Sequence, residues 1–397
     1  VEWTNGQAEA KRLVGEWLRS GRQVFRLFGY AGTGKTTIAR ALAEGLRVGY
    51  CAYTGKAALQ MRRAGCHEPT TIHRLIYQPA GASEARLDAL EGERDDPATD
   101  DGRRRELAAE IATEERRLRT PRFSLKPPDA LQDRDLLVVD ECSMVDDQMA
   151  KDLLSFGVKL LVLGDPAQLP PVNGGEGALT REAPDVLLTE VHRQAEGSPI
   201  LRLATFVREG GDLWSLAGRG VEGCEIIAGT IDRKRAIECD QVIVGKNDTR
   251  HAFNAWARKH LGFSGPIPQV GEKVVCLRNN HDLEILNGET FWVHEVQTPE
   301  AKWPTLALSR DKDSGKASVV TKVHRDLFDG CDPPYRESGA ASWFGYGYAM
   351  TAHKAQGSGW DRVAVVDQSF VARGHRRRWV YTAITRAAKE LVIYRTA

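Results

Sequence analysis

The segment Gly29-Tyr-Ala-Gly-Thr-Gly-Lys35-Thr36 lies between the apolar run Val24 to Phe28 and the helix-forming stretch Ile38-Ala-Arg-Ala-Leu-Ala-Glu44. Strand, glycine loop and helix in that order are the context in which this spacing cradles phosphate, and they commit the chain to a parallel sheet covered by helices. Glycines let successive backbone N–H groups turn inward on phosphate oxygens, and the helix N-terminus adds a favourable dipole. Lys35 then reaches the β and γ phosphates of a nucleoside triphosphate, and the Thr36 hydroxyl can ligate Mg²⁺. The bland alternative, a glycine turn with no nucleotide, is disfavoured by the flanking strand and helix.

The alternation of short apolar run, turn and helical stretch continues. Val48 to Tyr53, Leu136 to Val139, Leu160 to Leu163 and Val186 to Leu188 extend the first sheet, and Val242 to Val244, Val363 to Val366 and Leu391 to Ile393 repeat the pattern near the C-terminus. The expected fold class is therefore α/β with two such domains. Two segments break the alternation. From Gln78 to Asp129 the chain is dense in charge, with Leu107, Ile111 and Leu118 at helical spacing, which predicts an inserted helical hairpin. From about Pro266 to Gly345, Lys273 to Leu277, Thr290 to Val296, Thr305 to Leu308 and Ser318 to Val323 read as strands, with Asn287-Gly288 as a turn, so a small β-barrel is expected inside the second α/β domain.

At a strand end, Asp140 and Glu141 follow Leu136-Leu-Val-Val. Downstream of a phosphate loop, such a pair can hold a Mg²⁺ shell (Asp140) and polarise an attacking water (Glu141). The next strand runs into Gly164-Asp165-Pro166-Ala-Gln168-Leu-Pro-Pro-Val172. The Gln168 amide can bridge a γ-phosphate and a hydrolytic water, although the prolines alone would make only a rigid turn.

Lys plus Arg (55) nearly balance Asp plus Glu (54), so nucleic-acid binding, if present, must use a local basic groove rather than a polycationic surface. Seven scattered cysteines show no metal-ligand spacing and suggest reduced thiols. No apolar run reaches the length of a membrane span, and the first residues lack a signal-peptide pattern. These features predict a cytoplasmic chain with no membrane partner.

The order of motifs resembles the superfamily 1B DNA helicases, in their RecD-like and Dda-like branch. The resemblance runs from Gln7 to Tyr394 through Ala52-Tyr-Thr54-Gly-Lys56, Thr70-Thr-Ile-His73, the segments from Asp140 and Gly164, Val191-His-Arg193-Gln, Tyr348-Ala-Met-Thr351-Ala-His353-Lys354-Ala-Gln356-Gly357-Ser358 and Tyr381-Thr-Ala-Ile-Thr385-Arg386. It implies two RecA-like P-loop NTPase-type domains, with a helical insertion in the first and a small SH3-like β-barrel insertion in the second. The implied division is 1–77 and 130–190 (domain 1A, ATP binding), 78–129 (arm 1B), 191–265 and 346–397 (domain 2A), and 266–345 (barrel 2B). The implied activity is ATP-driven, Mg²⁺-dependent 5′ to 3′ movement on single-stranded DNA with duplex unwinding, by a monomer acting at single-strand/duplex junctions, with other replication or recombination proteins as further partners. A chain serving a recombination or nuclease complex as a DNA-stimulated ATPase, without strand separation of its own, is the alternative.

Carried onto this sequence, Gln7, Gly29, Gly32, Thr33, Gly34, Lys35, Thr36, Thr37, Gly357 and Ser358 are expected at the nucleotide, Gln7 on its adenine. Thr36 and Asp140 are expected at the metal. Glu141, Gln168, Arg193 and Arg386 are expected to act in hydrolysis, the two arginines as fingers that stabilise the transferring phosphoryl group. Thr54, Lys56, Thr71, His73, Thr351, His353, Lys354 and Gln356 are expected to contact DNA phosphates, which positions a strand without reading its sequence. The basic run Arg373 to Arg378 could touch DNA, and an exposed charged surface explains it equally well. For a strand-separating wedge the insertion offers only Phe123-Ser-Leu-Lys-Pro-Pro as an apolar tip.

Overall fold

The computed structural model describes residues 3–79, 84–119, 123–171, 177–190, 197–219, 222–280, 282–333, 337 and 339–395. Strands β1 (Val24–Gly29), β2 (Val48–Ala52), β3 (Thr70–Thr71), β6 (Leu136–Asp140), β7 (Lys159–Gly164) and β8 (Val186–Leu188) form a parallel sheet in the order β3-β2-β6-β7-β1-β8. The runs in β6 and β7 are unbroken because both faces are covered. Leu136, Val138, Leu161 and Leu163 pack toward Val14, Ile38 and Met61 of three helices on one face. Leu137, Val139, Leu160 and Val162 pack toward Met149 and Leu153 on the other. The carboxyl ends of β1, β6 and β7 deliver Gly29, Asp140 and Gly164 to one edge, where open α/β sheets hold ligands.

Between β3 and β6 the chain makes β4 (Tyr77–Pro79), two helices (Ala85–Asp95 and Asp101–Arg119) and β5 (Phe123–Leu125). The helices share a small core of Leu87, Leu90, Leu107, Ile111 and Leu118. Their charge is largely paired on the surface, as where Arg103 meets Glu93 and Glu110. β4 and β5 pair antiparallel and bring the two ends of this excursion together. Three-residue runs are too short to carry a readable period-2 pattern, and the sequence gives no sign of this ribbon.

β9 (Cys224–Ile227) and β10 (Gln241–Val244) open a second sheet, which the chain leaves to build β11 (Lys273–Cys276), β12 (Thr290–Gln297), β13 (Thr305–Ser309), β14 (Val319–Lys322) and β15 (Phe344–Tyr346). These five are antiparallel in the order β14-β13-β12-β11-β15 around Val274, Phe291, Leu306, Leu308 and Phe344. An isolated bridge between Val323 and Ser342 links the two outer edges, so the sheet curls toward closure. The chain then returns for β16 (Ala349–Thr351), β17 (Trp360–Asp367) and β18 (Ala387–Arg395), completing a parallel sheet β16-β10-β17-β18-β9. At the joint, Arg258 grips the fully buried Glu272 carboxylate with bonds of 2.7 and 2.9 Å, and Lys273 donates to Gln241 Oε1 at 2.8 Å. Burial lowers the Lys273 ammonium to about 7.

Candidate nucleotide cleft and nucleic-acid groove

Loop 29–36 has the backbone its glycines permit: Gly32 and Gly34 take φ of 80° and 74°, a region that costs a side-chain-bearing residue energy. Gly29 is required for a different reason, because a Cβ there would lie 2.6 Å from Thr33 Oγ1 and 2.9 Å from Leu188 Cβ. Lys35 and Thr36 begin the helix Lys35–Leu42. Lys35 Nζ donates to the carbonyls of Gly29 (2.7 Å) and Tyr30 (3.0 Å), which holds the ammonium in the loop. The Thr36 hydroxyl donates to Asp140 Oδ2 at 2.8 Å, so the two expected metal ligands are adjacent. Thr33 is buried, whereas Thr37 is exposed on the helix.

Gln7 lies in the first turn of the helix Asn5–Leu18. It closes a capping box with Thr4 and reaches the Thr33 carbonyl at 3.4 Å. It therefore touches the phosphate loop as well as its own helix start. Glu141 takes a left-handed φ of 53° directly after β6. Burial and the Asp140 carboxylate push its carboxyl up, against the pull of Arg386 and Lys35. Gln168 is buried, and its Oε1 has no hydrogen-bond partner among the described residues.

Arg386 lies just beyond the helix Arg376–Ile384. It is buried and donates to the Thr382 carbonyl (3.0 Å), Thr385 Oγ1 (3.0 Å) and the Ser358 carbonyl (3.1 Å). Burial lowers its pKa, and the charges of Glu141 and Asp165 act in the opposite direction. Arg193 lies outside the described residues.

A second cavity, of about 990 Å³, is shared by the first parallel sheet, the β4–β5 ribbon, the antiparallel sheet and the second parallel sheet. Thr54, Lys56, Thr71, His73, His353, Lys354 and Gln356 all line it. Thr54, Thr71 and Thr351 are N-caps whose oxygens accept from Ala57 N (3.1 Å), Arg74 N (3.3 Å) and Lys354 N (3.4 Å). A capping oxygen that accepts in this way keeps its O–H as a donor, so cap and phosphate contact are compatible. Burial lowers the ammonium groups of Lys56 and Lys354 to about 8 and lowers both histidines. His73 stands edge-on to Phe123 at 5.9 Å, and Phe123 is 46% exposed. Gln356 is buried and donates to the Leu169 carbonyl at 3.3 Å, which ties it to the loop after β7.

Cleft and groove meet at Ser358. Its hydroxyl accepts from Lys56 Nζ at 2.8 Å and its carbonyl accepts from Arg386 at 3.1 Å. Gly357, with φ 70°, sits so close to helix Gly55–Arg63 that a Cβ would lie 3.2 Å from Thr54 Oγ1. A further bridge escaped the sequence reading: the Tyr381 hydroxyl accepts from Ala31 N (3.0 Å) and donates to Asp165 Oδ2 (2.7 Å), and Thr382 Oγ1 accepts from Leu169 N (3.1 Å). In sequence alone a tyrosine on an apolar helix reads as core, and only its nearness to Arg386 could have drawn notice.

The fold and this cleft define a P-loop NTPase built on two parallel-sheet units. Residues 3–217 match the family model described as AAA domain, and residues 346–394 match the UvrD-like helicase C-terminal domain. The first match covers more than half the chain, which belongs to that family, within the RecD-like branch of the superfamily 1B helicases. The chain is 28% identical to the ATP-dependent RecD2 DNA helicase of Deinococcus radiodurans, with 93% of this chain and 46% of the relative covered. It is also 28% identical to the RecBCD enzyme subunit RecD of Mycolicibacterium smegmatis, with 91% and 66% covered. The chain thus spans about half the length of the first relative and two thirds of the second. Among solved structures, Pif1 helicase from Bacteroides in complex with ADP-AlF3 and ssDNA superposes with a TM-score of 0.56 at 18% identity, covering 99% of this chain and 92% of that one. Pif1 helicase from Candida albicans gives 0.52 at 16% identity, covering 99% and 94%.

Proposed function

We propose that the chain is an ATP-dependent DNA helicase that moves 5′ to 3′ along single-stranded DNA and unwinds duplex. The observation that carries this reading is Ser358, bonded at once to a lysine of the groove and to an arginine of the cleft. A displacement at either end is felt at the other through one residue, as a motor requires. The names of the relatives, which include single-stranded DNA and helicase activity, support the same reading.

In this proposal, residues 1–77 and 130–190 bind ATP, 78–129 form an inserted arm, 191–265 and 346–397 form the second RecA-like unit, and 266–345 form an SH3-like barrel over the groove. Loop 29–36 holds the phosphates and Gln7 the adenine. The hydroxyl of Thr36 and the carboxylate of Asp140 are hard oxygen donors already side by side, a pair suited to Mg²⁺. When bound there, that ion would neutralise charge on the phosphates. Glu141 takes a proton from the attacking water, Gln168 orients that water, and Arg386 and Arg193 stabilise charge on the transferring group. The β4–β5 ribbon, with Phe123 exposed at the groove, serves as the wedge.

Duplexes bearing only a 5′ or only a 3′ single-stranded tail test the reading. Strand displacement from the 5′ tail is expected. Displacement solely from the 3′ tail would refute the polarity, and DNA-stimulated hydrolysis without displacement from either would favour a DNA-stimulated subunit.

A further inference from the structure

A pocket of about 830 Å³ opens against the nucleotide cleft and shares no lining residue with the groove. Three of its walls belong to the cleft: Tyr30 of the phosphate loop, Pro166 and Ala167 beside Gln168, and Tyr381, whose hydroxyl touches Ala31 and Asp165. The remaining wall is cationic, with Arg208, Arg376, Arg377 and Arg378. No acidic side chain is among the described lining residues. Arg208 is committed, stacking 3.6 Å over the Tyr30 ring and pairing with Glu209 at 2.9 Å. Arg376 and Arg377 are exposed, and among the described residues neither has a carboxylate partner. They open the helix Arg376–Ile384, whose cap residue His375 gives its first turn no side-chain bond, so the helix end adds positive potential to theirs.

Arg376 and Arg377, adjacent and without a carboxylate partner among the described residues, repel one another, and the arrangement is relieved by a small, highly charged anion. Hydrolysis of ATP produces such an anion at the adjoining wall: inorganic phosphate is freed at the γ position while ADP remains on loop 29–36. A cationic compartment beside the γ position draws the departing anion away from ADP. We infer that this pocket is the exit site for inorganic phosphate, which Arg376 and Arg377 bind in passing. The inference rests on the ATP-hydrolysing reading above. DNA phosphates are the competing ligand, and the separate lining of the groove argues against them.

The test uses the full chain with saturating oligo(dT). Chemical quench reads ATP cleavage, and a fluorescent phosphate sensor reads free phosphate. In the double variant Arg376→Ala/Arg377→Ala, cleavage is expected to keep its wild-type rate while phosphate release slows by about tenfold. Arg376→Lys/Arg377→Lys should recover most of the loss. Because both positions are exposed, folding should survive, which a thermal melt verifies. Release that is unchanged or faster overturns the inference. So does cleavage that falls in step with release, which would move the arginines into the chemistry, or weaker oligo(dT) binding with normal release, which would assign them to DNA. A wild-type chain that cleaves no ATP overturns the underlying reading, and that outcome is distinguishable from the others.

Discussion

At the scale of single residues, the proposed mechanism separates groups that bind from groups that act. Lys35 is held against loop carbonyls, so Lys35→Ala removes a cation already in place for phosphate, and ATP turnover should fall by roughly 10² to 10³-fold. Glu141→Gln keeps the shape but not the base, and turnover should fall by about 10² to 10⁴-fold while ATP still binds. A Glu141→Gln chain that hydrolyses ATP normally would remove Glu141 from that role. In the groove, burial brings Lys56 and Lys354 to about 8. Each is charged below that value and neutral above it. At constant ionic strength, affinity for oligo(dT) should therefore decline as pH rises from 7 to 9, measured by fluorescence anisotropy. A flat profile would mean that these ammonium groups do not hold the strand. Lys56→Ala should also lower the slope of log affinity against log salt by about one.

The elements were legible where an apolar run marks them. β6 and β7 carry unbroken apolar runs and were legible, as was the short, wholly apolar β8, whereas β3 is two threonines, β4 and β5 mix polar and apolar residues over three positions, and these were not. Substitutions test local packing at this scale. Gly29→Ala places a methyl against Thr33 and Leu188 and should destabilise the first unit by about 1–3 kcal/mol in denaturant unfolding. An unchanged midpoint would show that the loop moves aside. Arg258→Met leaves the buried Glu272 carboxylate without its cation and should cost about 3–5 kcal/mol. Glu272→Gln in the same chain should return part of that loss.

For the whole molecule, the coupling lies in contacts between units far apart in sequence. Tyr381→Phe removes an acceptor from Ala31 N–H and a donor from Asp165, groups that belong to the first unit. The lost bond to a carboxylate is worth about 1.5–3 kcal/mol and its effect should appear mainly in the response of hydrolysis to DNA. An identical stimulation by oligo(dT) in Tyr381→Phe would make the bridge structural only. No helix among the described residues is long and apolar enough to cross a membrane.

Local chemistry determined a great deal by sequence alone. A phosphate loop needs glycines at given positions, a lysine and a strand-to-helix context, and an acidic pair after an apolar strand needs nothing more distant to be recognised. The α/β class and the nucleotide end of the cleft follow from such local requirements. Only the tertiary structure decided that Ser358 meets Lys56 and Arg386, that Tyr381 reaches Ala31 and Asp165, and that Thr54 and Thr71 of the groove, with Thr351, cap helices. Each of these is a contact between segments separated by tens or hundreds of residues, or a choice between two partners for one hydroxyl. Sequence spacing carries no signal for either, because what brings those groups together is the packing of two sheets and not the local conformation of the chain.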